Sequence, residues 1–293
     1  MKRIGIIANS DRDTEFKYTK ILTESIIKSG MEANLASEIA AAIGIGNSMA
    51  DEEAVMKDSD LIVCLGGDGT FLKVARKAYK YGLPIMGINL GTLGFLSEIE
   101  KNEIDETIRH IVEGKYTVEN RIMLEASVFS SNGIIAKDIA LNDIVVTRRA
   151  LSKMVHLETY IDDVFVDSFP CDGMIVSTPT GSTAYNLSAG GPIIEPDTDL
   201  IAITPICPHI LYSRSFISTG NRVVRIVANS KYDNLAMASF DGQKGYEMDR
   251  GDWIEIRKSD SVVKIVRVNP KNFYSILRSK IYDRGERLRK NEI

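Results

Sequence analysis

The sequence predicts an α/β N-terminal domain with a mainly parallel sheet, then a β-rich C-terminal domain and a closing helix. Three observations carry this. Short apolar runs alternate with helix-patterned segments over residues 1 to 113, the pattern of right-handed strand–helix–strand crossovers. From residue 116 the chain is rich in β-branched residues, alternates in "YTVENRIMLEASVF" and "DWIEIRKSDSVVKIVRV", and carries turn signals at "SNG", "DG" and "GQKG", which favours antiparallel sheet. Phe273, Ile276, Leu277 and Ile281 then recur at helical spacing, as in a docking helix. The expected divisions are 1–115, 116–266 and 267–293.

Within the first domain, "RIGIIANS" (3–10) reads as a buried strand. A helix follows, with Asp13 or Thr14 as N-cap, Tyr18, Leu22, Ser25 and Ile26 on one face and Gly30 past its end. Strands are expected near 32–36, at "DLIVCL" (60–65) and at "LPIMGIN" (83–89), with helices near 50–57, over Thr70–Tyr79 and over 102–113. Beyond 116, "IALNDIVVTRR" (139–149) is an apolar strand interrupted by Asn142 and Asp143, and "CDGMIVSTPTGSTAYNLSAGGPII" (171–194) follows a strand.

Composition narrows the function. A chain of 293 residues has room for two ordinary domains. Its 36 Lys plus Arg against 40 Asp plus Glu give a net charge of −4, with no general attraction for nucleic acid or an anionic membrane. A phosphate site must therefore be local. Cys64, Cys171 and Cys207 are odd in number, far apart and set in apolar sequence, unlike a disulfide framework, and fit a reducing cytoplasmic setting. "MKRIGIIANS" lacks the extended apolar stretch expected of a signal peptide, and no run approaches the roughly 18 apolar residues of a membrane span. His110 and His156 read as structural or exposed, His209 with its nearby prolines as loop architecture rather than a catalytic group, and the Arg and Lys of the tail as a solvated face.

The chemistry concentrates in two stretches. In "LIVCLGGDGTFLK" (61–73) a glycine-rich turn, Gly66 to Thr70, sits at the carboxyl end of a strand, where open α/β sheets bind ligands. Glycines there admit positive φ and bring amide N–H groups close to an anion, and the following helix adds its dipole. Asp68 is then informative, because a carboxylate beside phosphate is repelled unless it holds a metal or orients an attacking hydroxyl. The plainer reading makes Asp68 a helix cap and the glycines a tight connection. No Gly-Lys-Ser/Thr is present, which excludes a Walker A loop, and "GIGNSM" lacks the third glycine of a dinucleotide fingerprint.

The second stretch, 171–194, offers the hydroxyls of Ser177, Thr178, Thr180, Ser182 and Thr183 among Gly181, Gly190 and Gly191. It suits sugar hydroxyls and phosphate oxygens, or else forms a solvent loop with hydroxyl-capped turns. Tyr185 stacks on a base or packs in the core. Asn142 and Asp143 interrupt a buried run and need partners, ribose hydroxyls or a strand bulge. Arg148 and Arg149 add positive potential near phosphates or are exposed strand-end charges.

Together these motifs resemble one family, NAD kinase, which makes NADP from NAD and ATP. The matching elements, in family order, are "GGDGT" (66–70), "NLGTLGFL" (89–96), "LNDIVV" (141–146), "DGMIVSTPTGSTAYNLSAGGPI" (172–193), "TPICPH" (204–209) and "FDGQ" (240–243). "GGDGT" alone is shared with lipid kinases such as diacylglycerol kinase and, more loosely, phosphofructokinase; the long second motif makes the likeness specific. The resemblance implies that the last segment returns to the first domain and that the β-rich domain binds NAD. It makes Asp68 the base or orienting acceptor for the 2′-hydroxyl of the adenosine ribose, with Gly67 and Gly69 shaping the turn. Gly66, Thr70 and Arg148 would bind phosphate. Asn142 and Asp143 would contact ribose, Asp172 the amide or amino group of the dinucleotide, and Thr183, Ala184, Tyr185 and Ser188 the base and ribose. Phe95 would pack on the adenine, and Asp241 would lie near the nicotinamide.

The chain departs from the family pattern in having Asn142-Asp143 where Asn-Glu is usual, so the carboxylate reaches roughly one C–C bond less far. Arg149 replaces a usual glycine. ATP, with polyphosphate as a second possible donor, would bring in Mg²⁺ or another divalent cation bound mainly through its phosphates, since no protein-only metal cage is visible. A homodimer or homotetramer is implied, with no nucleic-acid or membrane partner. Two other readings share these motifs: a catalytically silent dinucleotide sensor, and a soluble lipid kinase, which lacks support from any membrane-binding segment.

Overall fold

The computed structural model describes residues 1–149, 154–229, 231, 235–268 and 270–280. It forms two units, Met1–Asn120 with Val263–Ile293, and Arg121–Val262. The C-terminal segment therefore belongs with the first unit, as the resemblance implies. Ile281, part of the expected tail helix, lies outside the described residues, and 273–280 are helical.

In the first unit Arg3–Ala8, Glu32–Ala36, Asn47–Met49, Leu61–Gly66 and Pro84–Asn89 pair in parallel. Their spatial order runs Asn47–Met49, Glu32–Ala36, Arg3–Ala8, Leu61–Gly66, Pro84–Asn89. The winding direction thus reverses between Arg3–Ala8 and Leu61–Gly66, and such a reversal opens a crevice at the carboxyl ends of the strands. Leu61–Gly66 is buried along its whole length, which is why its sequence is an unbroken apolar run. Helices Lys17–Lys28 and Ile104–Val112 bring Leu22, Ile26, Ile104 and Ile108 into one core with Ile4, Leu35, Val63 and Met86.

Element starts differ from expectation for local reasons. The first helix begins at Lys17 after a 3-10 turn, Thr14–Phe16, in which Glu15 and Phe16 take φ of 55° and 53°. Asp13 still serves its N-terminus, accepting the N–H groups of Tyr18 at 2.9 Å and Thr19 at 2.8 Å. Asp51 caps Glu52–Lys57 by accepting from the Ala54 N–H at 2.8 Å. Helix Ser37–Ile43 and strand Asn47–Met49 were not expected. The helix is short, its buried face is only Ile39, Ala40 and Ile43, and Gly44 ends it at φ 71°.

The second unit holds a six-stranded antiparallel sheet in the order Phe216–Thr219, Leu200–Ile206, Gly173–Ser177, Asp143–Arg148, Ala236–Phe240, Lys244–Met248. A second set, Val164–Cys171, Val155–Ile161, Val224–Ala228 and the start of Trp253–Arg267, is also antiparallel. Ile144, Val146, Met174, Val176, Ile201 and Phe240 from the first sheet share a core with Leu157, Phe169, Val224, Ile226 and Ile254 from the second. The "DG" turn at Asp241-Gly242 takes φ of 52° and 63°, the left-handed pair of a tight hairpin. Strand Trp253–Arg267 also serves the first unit, where Lys264 and Ile265 lie parallel to Pro84 and Ile85.

Candidate active site

The glycine-rich turn joins Leu61–Gly66 directly to helix Asp68–Ala78. Gly66, Gly67 and Gly69 do not have positive φ, which corrects the left-handed turn expected from the sequence. Gly67 is extended, at φ −121° and ψ −172°, and the helix begins one residue later. Space is what these glycines supply. A Cβ on Gly66 would come within 2.5 Å of Thr70 Oγ1, whereas on Gly67 or Gly69 it would meet nothing within 4 Å, so the helix N-terminus is bare toward the cleft.

Asp68 does not cap this helix, whose N-cap is Gly67 with no side-chain bond. Its carboxylate turns to the loop after Pro84–Asn89. Oδ2 accepts the Phe95 N–H at 2.8 Å, and Oδ1 accepts those of Leu96 and Ser97, each at 3.1 Å. Gly94 permits this, because a Cβ there would collide with Asp68 Oδ1. A carboxylate offers about four acceptor directions, so the backbone fills most of them and fixes the group's orientation.

A cleft of about 870 Å³ opens at this turn, lined by Asn9, Arg12, Asp68, Lys73, Glu100 and Lys280 with the backbone of Gly67 to Thr70 and Gly91 to Gly94. It lies at the carboxyl ends of the three central strands, where the reversal of strand order places it. Asn9 Nδ2 donates to Thr70 Oγ1 at 3.0 Å, joining two of those ends. Arg12, Lys73 and Lys280 outnumber Asp68 and Glu100, which gives this acidic chain the local positive potential a phosphate needs.

The C-terminal segment grips the Phe95–Glu98 loop from its carbonyl side. Buried Arg267 donates to the Leu96 carbonyl at 3.3 Å and the Phe95 carbonyl at 3.5 Å, and pairs with Glu98 at 3.3 Å and Glu119 at 3.1 Å. Lys271 Nζ donates to the Glu98 carbonyl at 3.2 Å. Asn272 Oδ1 accepts from the Tyr274 N–H at 2.9 Å at the start of the closing helix. From that helix Phe273 packs on Phe95, ring centroids 6.2 Å apart, and Lys280 Nζ lies 4.5 Å from the Phe95 centroid and 3.7 Å from Asp68 Oδ2. Lys271 and Lys280 are thus committed to the loop and the cleft and are not part of a solvated face, while Arg284, Arg287, Arg289 and Lys290 of the same cluster lie outside the described residues.

In the second unit another aspartate is held in the same way. Asp241, on its left-handed turn, accepts the N–H groups of Leu141, Asn142 and Asp143 at 3.0, 2.7 and 3.2 Å. The Asn142 carbonyl accepts from the Thr178 N–H at 2.9 Å and from Ser177 Oγ at 3.3 Å, and a Cβ on Gly181 would strike it. Asn142 and Asp143 are therefore fixed by their backbone. Asp143, 5% exposed, begins strand Asp143–Arg148, and burial, helped by the Asp241 charge, pushes its carboxyl up to about 7.

The 171–194 stretch is ordered, not a solvent loop. Strand Gly173–Ser177 leads into a 3-10 turn, Thr180–Thr183, and helix Tyr185–Ser188. Fully buried Asn186 ties it together, donating to the carbonyls of Ser182 at 3.3 Å and Pro192 at 3.0 Å and accepting from Thr204 Oγ1 at 2.7 Å. Gly191 leaves room for that amide. Thr183 Oγ1 donates to the Thr180 carbonyl at 3.3 Å, the Ala184 N–H bonds the Gly181 carbonyl at 2.9 Å, Tyr185 is 44% exposed and Ser188 is exposed. Asp172 pairs with Arg148 Nε at 2.8 Å, and Arg149 with Glu247 at 2.7 Å.

The first unit thus gathers Gly66, Gly67, Asp68, Gly69, Thr70 and Phe95; the second gathers Asn142, Asp143, Asp241, Ser177 and Thr178, with Asp172 on Arg148. Sequence reasoning missed Arg12, Lys73 and Lys280 in the cleft, and Asn186. The lysines sit in ordinary amphipathic helix patterns, where charge reads as solvent-facing. Cys64 and Cys171 are buried packing residues, and burial pushes the Cys171 thiol up to about 12. Among the described residues no three His, Cys, Asp or Glu side chains group to hold a metal ion, and no helix is long and apolar enough to cross a membrane.

A family model described as ATP-NAD kinase N-terminal domain matches residues 4–116, and one described as ATP-NAD kinase C-terminal domain matches 141–268. The NAD kinase of Acetivibrio thermocellus is 52% identical over 99% of this chain and 100% of its own length. That of Ruminiclostridium cellulolyticum is 49% identical, covering 98% and 100%. Among solved structures, yeast NADH kinase complexed with NADH aligns with a TM-score of 0.86 at 26% identity over 97% of this chain and 88% of its own. An NAD kinase from Archaeoglobus fulgidus in complex with ATP aligns at 0.74 and 28% identity, covering 96% and 98%.

Proposed function

The chain belongs to the NAD kinase family, and from that premise we propose how its own residues carry out the transfer. It phosphorylates NAD with ATP to give NADP. The observation that carries the residue assignment is the Asp68 carboxylate, clamped by the N–H groups of Phe95, Leu96 and Ser97 at the edge of the cationic cleft.

Asp68 is the acceptor for the 2′-hydroxyl of the adenosine ribose. A ribose hydroxyl is a poor nucleophile near neutral pH, so an oriented acceptor that takes its proton as the new bond forms lowers the barrier. The 2′-oxygen bonds to the γ-phosphorus of ATP while the bond from that phosphorus to the β,γ-bridging oxygen breaks, ADP leaves with the electron pair, and the proton passes to Asp68. The bare start of helix Asp68–Ala78, with Gly66, Gly67, Gly69, Thr70, Arg12 and Lys73, binds the triphosphate. Phe95 presents its ring to the adenine. Asn142 and Asp143 bind ribose, Asp172 the amide or amino end of the dinucleotide, and Thr183, Ala184, Tyr185 and Ser188 the base and ribose. Arg148 acts by holding Asp172, and Asp241 by fixing the backbone of Asn142 and Asp143.

The divalent cation that ATP-dependent kinases generally need would screen phosphate charge and polarise the γ-phosphoryl group. We take it as Mg²⁺, which would arrive on ATP, since Mg²⁺ keeps several waters and binds largely through substrate phosphates. A cytoplasmic homodimer or homotetramer completes the proposal.

NADP formation from NAD and ATP, with and without Mg²⁺, tests it in wild type beside Asp68→Asn. Metal-dependent NADP production that collapses in the variant while NAD binding persists is the expected result. NAD binding without turnover by wild type, with ATP or polyphosphate, would instead establish a sensor.

A further inference from the structure

Lys280 differs from the other cations of the cleft in its origin. Arg12 and Lys73 come from the α/β core, whereas Lys280 is brought in by the C-terminal segment, whose Arg267, Lys271 and Phe273 fasten onto the loop that clamps Asp68. Its ammonium stands 3.7 Å from Asp68 Oδ2. That separation attracts but exceeds the N–H···O range of roughly 2.7–3.2 Å, so Asp68 does not use up its donors. One side of the ammonium faces the Phe95 ring, 4.5 Å from the centroid, and it also lines the cleft.

We propose that Lys280 is a catalytic residue, a fixed cation that bonds the phosphoryl group during its passage to ribose; this rests on Asp68 being the acceptor for the hydroxyl. An attacking oxygen held by Asp68 must approach the γ-phosphorus to roughly 3–3.5 Å. A phosphoryl group so placed lies within reach of the Lys280 ammonium. It also brings negative charge next to the Asp68 carboxylate, a repulsion that a cation beside both offsets. The bond changes are those given above, and Lys280 keeps its proton throughout. The clamp on the Phe95–Glu98 loop then has a second purpose: it fixes acceptor and cation relative to each other.

A purely structural lysine would pin the helix to the loop and nothing more. The two roles separate in the purified full-length enzyme with Lys280→Met, Lys280→Arg and Lys280→Ala, read by kcat, by KM for ATP, by direct titration of NAD and by thermal melting. We expect kcat of Lys280→Met to fall roughly 100-fold with NAD affinity and melting temperature unchanged. Lys280→Arg should recover most of the loss, and ethylammonium added to Lys280→Ala should restore turnover in proportion to its concentration. Wild-type kcat in Lys280→Met would overturn the proposal. So would equal losses in all three variants with lowered melting temperature and no rescue by the amine, which would leave only the structural pin. Absence of NADP from wild type is a separate result that overturns the functional reading and this inference with it.

Discussion

Asp68 and Arg267 hold opposite edges of one loop. The Asp68 carboxylate takes the N–H groups of Phe95, Leu96 and Ser97, while the Arg267 guanidinium donates to the carbonyls of Phe95 and Leu96. Neither residue needs the other to be near it in sequence; the parallel pairing of Lys264 and Ile265 with Pro84 and Ile85 brings them together. The loop's backbone is thereby satisfied from both sides, and the position of Asp68 depends on a residue far along the chain.

Arg267 is 4% exposed and pairs with Glu98, itself 6% exposed. Removing the arginine takes one ion-pair partner from buried Glu98 and the side-chain donors from the Phe95 and Leu96 carbonyls, which costs roughly 1–3 kcal/mol. Arg267→Met should show that loss in urea unfolding and reduced kcat together. Arg267→Lys, which keeps the charge beside Glu98 but loses the planar fork of donors, should regain part of the stability yet not the kcat, because the Phe95 and Leu96 carbonyls lack their paired donors. Full recovery of both would mean that the loop holds its shape without Arg267.

Gly94 and Gly67 separate geometry from ligand access. A Cβ at Gly94 collides with Asp68 Oδ1, whereas one at Gly67 meets nothing within 4 Å. Gly94→Ala should displace the carboxylate and lower kcat by roughly 100-fold or more with ATP affinity little changed. Gly67→Ala should fold as wild type and raise KM for ATP, since its methyl group faces the cleft. Steady-state kinetics of the two variants side by side make the comparison. Equal behaviour would sink the assignment of separate roles.

Asp143 makes stability depend on pH. Its folded carboxyl is raised to about 7 from an ordinary 3.8, so the native state binds the extra proton between those values. The sign follows from linkage: the cost is absent below about pH 4, grows as pH rises, and is complete above about pH 7, where it amounts to about 4 kcal/mol. Asp143→Asn should therefore stabilise the protein at pH 8 and do so much less at pH 5. A stability gain equal at both pH values in urea titrations would show that Asp143 is ionised in the native state throughout.

Much of this was legible in the sequence, and the limits have physical causes. The run at 61–66 and the turn after it announced a buried strand ending at a cleft, because burial on both faces leaves no room for alternation. The aspartates at 68 and 241 were visible as chemistry, but their partners were not. Each is held by three consecutive backbone N–H groups of a distant segment, and backbone donors leave no mark on composition. Only Gly94, as a missing side chain, hints at the first contact. Lys280 was invisible for the opposite reason: its spacing is that of any lysine on an amphipathic helix, and only the docking of that helix gives it a site. The glycines of the turn were assigned the wrong cause, since small size and conformational freedom look alike in one letter.

Arg148 presents the last choice, between binding phosphate and holding Asp172. Its Nε lies 2.8 Å from the Asp172 carboxylate, and its N–H bonds the Asp172 carbonyl at 3.0 Å. The pair is about one-third exposed on both sides, so it contributes at most about 1 kcal/mol to folding, and Arg148→Leu should unfold at nearly the wild-type urea concentration. The kinetic effect discriminates. If Arg148 serves by orienting Asp172 toward the dinucleotide, KM for NAD rises while KM for ATP stays put, and Asp172→Asn combined with Arg148→Leu adds little beyond either change alone. If Arg148 instead meets the triphosphate, KM for ATP rises and the two substitutions add in full. The first outcome is expected, because a guanidinium already engaged by a carboxylate at hydrogen-bonding distance has its charge largely offset before phosphate arrives.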